Sequence, residues 1–267
     1  NKNYLLLKNW WETLDLTYYE KSFFNREIIS FNQQLFRLKE KKIRISAYGK
    51  AGVGKSSVLN SLLKKNIFKT NVINGTTREI QAEPWSLKDQ TLSSVELLDS
   101  PGFDFCNIKF PDKVYSYKNH ADLILFIVSG DLNRNELNEI SFLIKDGKKI
   151  IVILNKTDLF NRKDLKEIME NIKFKLPKDL NIPIILNHEN KLKNYLTKII
   201  NQHGEILLTL NSLQLADKLF LQIKKQRLKR RQKLAQSTIG KFSTIKASAV
   251  ALNPFILFDV AGSFALD

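Results

Sequence analysis

The polar and apolar positions of this chain change period along its length. Residues 1–40 contain no glycine or proline, and Phe24, Ile28, Phe31, Leu35 and Leu38 recur at spacings of three and four. That period sets them on one face of a helix and predicts an N-terminal helical segment packed on the main domain. Trp10 and Trp11, in the same segment, suit either that packing or a lipid interface. From residue 42 the pattern shortens. The runs at 42–48, 91–100, 121–129, 149–155 and 182–186 are apolar and rich in β-branched residues, with helix-like stretches between them. They read as buried, mostly parallel strands, and right-handed crossovers make of them a doubly wound α/β sheet. Ligand loops of such a sheet gather at the carboxyl ends of its strands. Beyond residue 186 the chain turns helical. Leu192, Leu196, Ile199, Ile206, Leu210 and Leu213 fit one stripe, interrupted near Gly204. The expected organisation is a helical segment over 1–40, an α/β domain over 41–203, and a helical region over 204–267 that is first basic and then apolar.

Composition narrows the class of partner. With 267 residues and 43% apolar content, the chain can bury one sizeable core and carry an appendage. A net charge of +16 implies a polyanion, either nucleic acid or an anionic membrane face. Cys106 is the one cysteine, which excludes an internal disulfide and suits a reducing cytosol. No secretory signal is visible. The chain opens on Asn1 rather than Met and closes at Asp267 inside an apolar run, so it reads as a fragment. His120, His188 and His203 lie in no carboxylate or nucleophile pattern and read as ordinary polar residues.

The first chemical signal is "GKAGVGKSS", that is Gly49, Lys50, Ala51, Gly52, Val53, Gly54, Lys55, Ser56 and Ser57. It fits G-x-x-x-x-G-K-[ST] between an apolar strand and an amphipathic helix. Glycines let backbone N–H groups turn inward around a phosphate, and the helix that follows adds its positive end. Lys55 is expected to reach the β- and γ-phosphates, and Ser56 to offer its hydroxyl to Mg²⁺.

The base follows from a second signal. Asn155, Lys156, Thr157 and Asp158 follow the strand at 149–155. The Asp158 carboxylate can accept from the N1–H and the 2-amino group of guanine. Adenine would leave it desolvated and unpaired, at a cost of about 1–3 kcal/mol. Asn155 would bond the base edge or tie the two loops together, and the Lys156 stem would cover the base. Between these motifs lies "DSPG", Asp99 to Gly102. Asp99 is expected to hold a Mg²⁺-bound water and the Gly102 N–H to meet the γ-phosphate. In "NGTTRE", Thr76 and Thr77 are candidates for the loop that closes over the metal, with Thr77 the favoured contact.

These four elements resemble the G1 to G4 motifs of translation-factor-class GTPases, and "GTTRE" followed by "DSPG" is most similar to the Era and TrmE branch. The resemblance covers residues 42–187 and implies a P-loop G domain that binds GTP and GDP with Mg²⁺ and hydrolyses GTP. The fifth motif reads "LNHEN", with Asn187 as the stand-in for the usual Ser-Ala-Lys turn. Potassium-using TrmE-like domains carry Asn at the fourth loop position; Gly52 stands here, so no potassium activation is expected. Ras-like proteins place a water-orienting glutamine after D-x-x-G, where this chain has Phe103. Two outcomes follow: slow hydrolysis, which the Era-like resemblance favours, or binding with hardly any turnover.

The C-terminal region decides between partners. "KKQRLKRRQK" at 224–233 carries seven basic residues in ten, and residues 247–266 are mostly apolar with one charge, Asp259. The apolar run is long enough for a bilayer core, although Pro254 and the carboxylate of Asp259 oppose a straight span. A hairpin, an interfacial element or a buried apolar hairpin are the alternatives. The stretch from Ala251 to Gly262 resembles the start of the YcjF-type domain that follows an Era-like G domain in cyanobacterial predicted GTPases, with Phe258 in place of the usual Leu. That resemblance implies a cytoplasmic G domain associated with a membrane through its C-terminal region. RNA binding by the basic helix is the rival expectation. No G-x-x-G follows residue 190 to suggest a KH domain.

Overall fold

The computed structural model describes residues 2–69, 81–86, 94–104, 121–188 and 190–252, without the side chains of 245–252. It divides into two compact units, Asn1–Asp217 and Lys218–Asp267.

In the first unit, helices α1 (Lys2–Thr13), α2 (Tyr18–Phe23) and α3 (Asn25–Lys39) precede strand β1 (Lys42–Tyr48) and helix α4 (Lys55–Leu63). Then come β2 (Gln81–Trp85), β3 (Ser94–Asp99), β4 (Leu123–Val128), α5 (Arg134–Lys145), β5 (Ile150–Leu154), α6 (Arg162–Lys175) and β6 (Ile184–Leu186), and helix α7 (Lys191–Leu252) begins here. The strands form one sheet in the order β2-β3-β1-β4-β5-β6. All neighbours pair in parallel except β2 with β3. Every strand expected from the apolar runs is present. Strand β2 was not expected, because "QAEPW" has one large apolar residue and a proline. It survives as an edge strand, where a missing N–H costs no central ladder bond.

The sheet is covered on both faces, as the doubly wound reading requires. Along β4 the period of two sends Leu123, Leu125 and Ile127 to one face, with Val58, Leu59 and Leu62 of α4 and Leu192, Leu196 and Ile200 of α7. Ile124, Phe126 and Val128 face the other way, against Ile140 and Leu143 of α5 and Ile172 of α6. The N-terminal segment is three helices rather than one. Phe24, Phe31, Leu35 and Leu38 are buried as expected. Trp10 and Trp11 are half-buried and pack on Phe31, with ring centroids 6.1 and 5.1 Å away, an intramolecular contact of the kind the packing expectation requires.

Helix α7 corrects the expected stripe. It runs through Gly204 without a break. Leu192 and Leu196 are buried, but Ile206, Leu210 and Leu213 are exposed, and Leu207, Leu208, Asn211, Ser212 and Leu215 face inward instead. The inward face includes polar residues because it meets Asp122, just before β4. That carboxylate accepts from Arg37 Nη1 at 2.6 Å, Arg44 N at 2.8 Å, Gln34 Nε2 at 3.1 Å and Asn211 Nδ2 at 2.7 Å. Burial lowers the Arg37 pKa, and Asp122 opposes the shift.

Candidate nucleotide site

The phosphate loop joins the carboxyl end of β1 to the start of α4. Gly54 caps that helix in a left-handed conformation (φ 92°, ψ 33°), which few other residues adopt. A Cβ there would also lie 2.2 Å from Asn155 Nδ2. Lys55 is buried, and its ammonium donates to the carbonyls of Gly49 at 3.2 Å and Lys50 at 2.6 Å. Ser56 Oγ donates to Asp99 Oδ2 at 2.5 Å, so the two residues expected at the metal stand side by side. A hydroxyl and a buried carboxylate are hard oxygen donors of the kind Mg²⁺ takes, and the donor set fits that ion.

The loop after β5 adjoins the phosphate loop directly. Asn155 is buried and donates from Nδ2 to the carbonyl of Val53 at 2.8 Å, while its Oδ1 accepts from Asn187 Nδ2 at 2.8 Å. Of the two expectations for Asn155, the tie between loops is the contact seen. Asn187 is joined to it, which connects the first, fourth and fifth motif stretches in one chain of bonds. Lys156 takes a left-handed backbone (φ 55°) and leads into a 3-10 turn, Thr157–Leu159. The side chains of Lys156 and Asp158 are exposed, and so are open to a base.

The loop after β3 closes on the same place. Gly102 approaches so near that a Cβ would lie 2.5 Å from Ala51 N. Phe103 is buried, with its ring 5.8 Å from Tyr48 and 6.3 Å from Phe126. The side chain is therefore part of the core beneath the loop. Asp104 was missed by the sequence reading; its Oδ1 accepts from Ala51 N at 2.9 Å. The available signal was an acidic residue two places past the motif glycine. Thr76, Thr77, Cys106, His120, Pro254, Phe258 and Asp259 lie outside the described residues.

Strand order, the glycine loop and the three loops converging at the carboxyl ends of β1, β3 and β5 give the α/β fold of the P-loop GTPases. Residues 44–156 match the family model described as 50S ribosome-binding GTPase. Over 148 residues the chain is 32% identical to GTPase Der of Buchnera aphidicola subsp. Acyrthosiphon pisum (strain Tuc7), covering 52% of this chain and 32% of that protein. It is 34% identical over 139 residues to the tRNA modification GTPase MnmE of Thermoanaerobacter sp. (strain X514), covering 50% and 29%. The chain thus spans about a third of the length of these curated relatives. Among solved structures, a variant of Aquifex aeolicus Era bound to GDP.AlF4- superposes with a TM-score of 0.51 at 24% identity, over 59% of this chain and 56% of that one. Era in complex with MgGDPNP and nucleotides 1506-1542 of 16S ribosomal RNA gives 0.50 at 25% identity, with the same coverage. Residues 44–156 are thus similar to the GTPase domains of these proteins.

Proposed function

We propose that this chain is a guanine-nucleotide switch that binds GTP and GDP with Mg²⁺, hydrolyses GTP slowly and acts at a membrane surface. The observation that carries the nucleotide reading is the Asn155 bond to Val53, which holds a base-reading loop against a phosphate-binding loop. Gly49, Gly54 and the N–H groups at the start of α4 would cradle phosphates, with Lys55 on the β- and γ-oxygens. Ser56, Asp99 and Thr77 would hold Mg²⁺, which offsets phosphate charge when bound. Asp158 would read guanine. The slow rate follows from Phe103, whose ring is locked in the core and can orient no water. Asp158→Asn is expected to weaken GTP binding and strengthen xanthosine triphosphate binding by equilibrium titration. Unchanged guanine preference would remove the base assignment.

The membrane part rests on the second unit. Leu221, Leu228 and Phe242 are exposed at multiples of seven residues, with Ile239 beside them and the basic run of 224–233 around Leu228. An apolar stripe flanked by Lys and Arg suits the interface of an anionic bilayer. Among the described residues no helix is long and apolar enough to cross a membrane. The apolar run that follows is proposed as the start of a YcjF-type domain. A second reading, an RNA- or ribosome-associated switch, draws on the family description and on the RNA in the Era complex. Fractionation separates the two. A membrane-bound chain stays in the pellet through a high-salt wash and leaves with detergent, whereas an RNA-bound one leaves with salt or nuclease.

A further inference from the structure

The phosphate loop already has an anion on one of its donors. Ala51 N–H points at the Asp104 carboxylate, 2.9 Å away. Asp104 is held there by its neighbours: Phe103 N donates to the Gly49 carbonyl at 3.3 Å, the Phe103 ring is fixed against Tyr48, and Gly102 lies flush on Ala51. We propose that Asp104 sets the preference between di- and triphosphate, its carboxylate competing with the terminal phosphate of GTP for this face of the loop. The inference rests on the guanine-nucleotide reading above.

The chemistry is direct competition between two anionic acceptors. Carboxylate and phosphate oxygens accept from the same kind of donor, and two negative groups at one short loop repel each other strongly where water is scarce. In this proposal the α- and β-phosphates lie at the start of α4, with Lys55 on the β- and γ-oxygens, and only the terminal phosphate needs the Ala51 N–H. The terminal phosphate belongs beside Gly102, and Gly102 is the residue that lies on Ala51. A diphosphate can therefore bind with Asp104 in place, whereas a triphosphate must lift Asp104 and Gly102 off the loop together. Expulsion of this carboxylate becomes the event by which the third phosphate moves the segment after β3.

The test compares Asp104→Ala and Asp104→Asn with the wild-type chain, titrating GDP and the β,γ-imido analogue of GTP calorimetrically in Mg²⁺. The affinity ratio is expected to shift toward the triphosphate by about tenfold in the alanine variant, within the usual range of coupling between sites. The asparagine variant, which keeps the acceptor and loses the charge, is expected to fall between. Unfolding midpoints of all three chains check that the fold is kept. An unchanged ratio in both variants overturns the proposal, as does a ratio that shifts toward GDP. A wild-type chain that binds neither nucleotide overturns the underlying nucleotide reading, and this inference with it.

Discussion

Removing the Asn155 amide separates two roles that a sequence pattern treats as one. In Asn155→Ala, two groups lose a partner, the Val53 carbonyl and the Asn187 amide, each bonded at 2.8 Å. Asn187 is half-exposed and can turn to water. Val53 is buried, so its carbonyl carries the cost of an unmet buried acceptor, about 1–3 kcal/mol. Taking about 2 kcal/mol, and about 2–4 °C per kcal/mol for a domain of this size, the melting temperature should fall by about 4–8 °C. Asn155→Asp should fall further, because a carboxylate would then face the Val53 carbonyl, acceptor against acceptor. The assay is thermal unfolding of protein stripped of nucleotide, read beside GDP affinity. If Asn155 matters as a tie, stability drops without any nucleotide present and affinity drops with it. A stripped variant that melts within about 1 °C of wild type, a change worth only a fraction of 1 kcal/mol, but binds GDP poorly would refute this reasoning and return Asn155 to the base edge.

Two further outcomes follow from buried groups. Asp122→Ala strands the Arg37 guanidinium, which is buried at 2.6 Å from that carboxylate, and should lower stability by about 3–5 kcal/mol; urea unfolding should show a lower midpoint at unchanged slope. Phe103→Gln should not accelerate GTP hydrolysis in single-turnover assays, since the side chain at 103 points into the core between Tyr48 and Phe126. It should instead destabilise by about 3 kcal/mol or more, as a polar group enters an aromatic cluster.

The candidate-site end of the domain was legible because its determinants are local. Gly54, Lys55 and Ser56 are consecutive, and each motif follows a strand that its own apolar run announces. The opposite end was not. Asp122, Arg37, Gln34 and Asn211 come from distant stretches, with the Asp122–Asn211 bond closing 89 positions, and no spacing rule joins them. The same network explains the misread stripe on α7. Asn211 and Ser212 are buried because they bond Asp122 and Gln34, so a search for leucines and isoleucines rotated the helix onto its solvent side. Strand β2 was hidden for a related reason: its identity comes from pairing with β3, and the proline opposite Glu96 speaks against a strand when read alone.

Strand β4 connects the two ends and makes one glycine unforgiving. Its six residues span about 20 Å at about 3.3 Å per residue, buried on both faces and bonded to β1 and β5. Just before its start, Asp122 is fixed by four hydrogen bonds. Near its far end the Ile127 carbonyl lies 2.3 Å from where a Cβ on Gly49 would fall, at a φ of 154°. The obstacle is backbone in a central strand, so β4 cannot slide away and the phosphate loop must lift instead. Gly102 differs, because the atoms a Cβ would meet there belong to Ala51 and Asp104 in the two loops, which can part. Gly49→Ala should therefore cost more stability than Gly102→Ala, by about 2 kcal/mol or more given the strain and contact involved, and should abolish nucleotide binding. Urea unfolding of both variants decides it: equal losses would mean that the strand yields as readily as the loops.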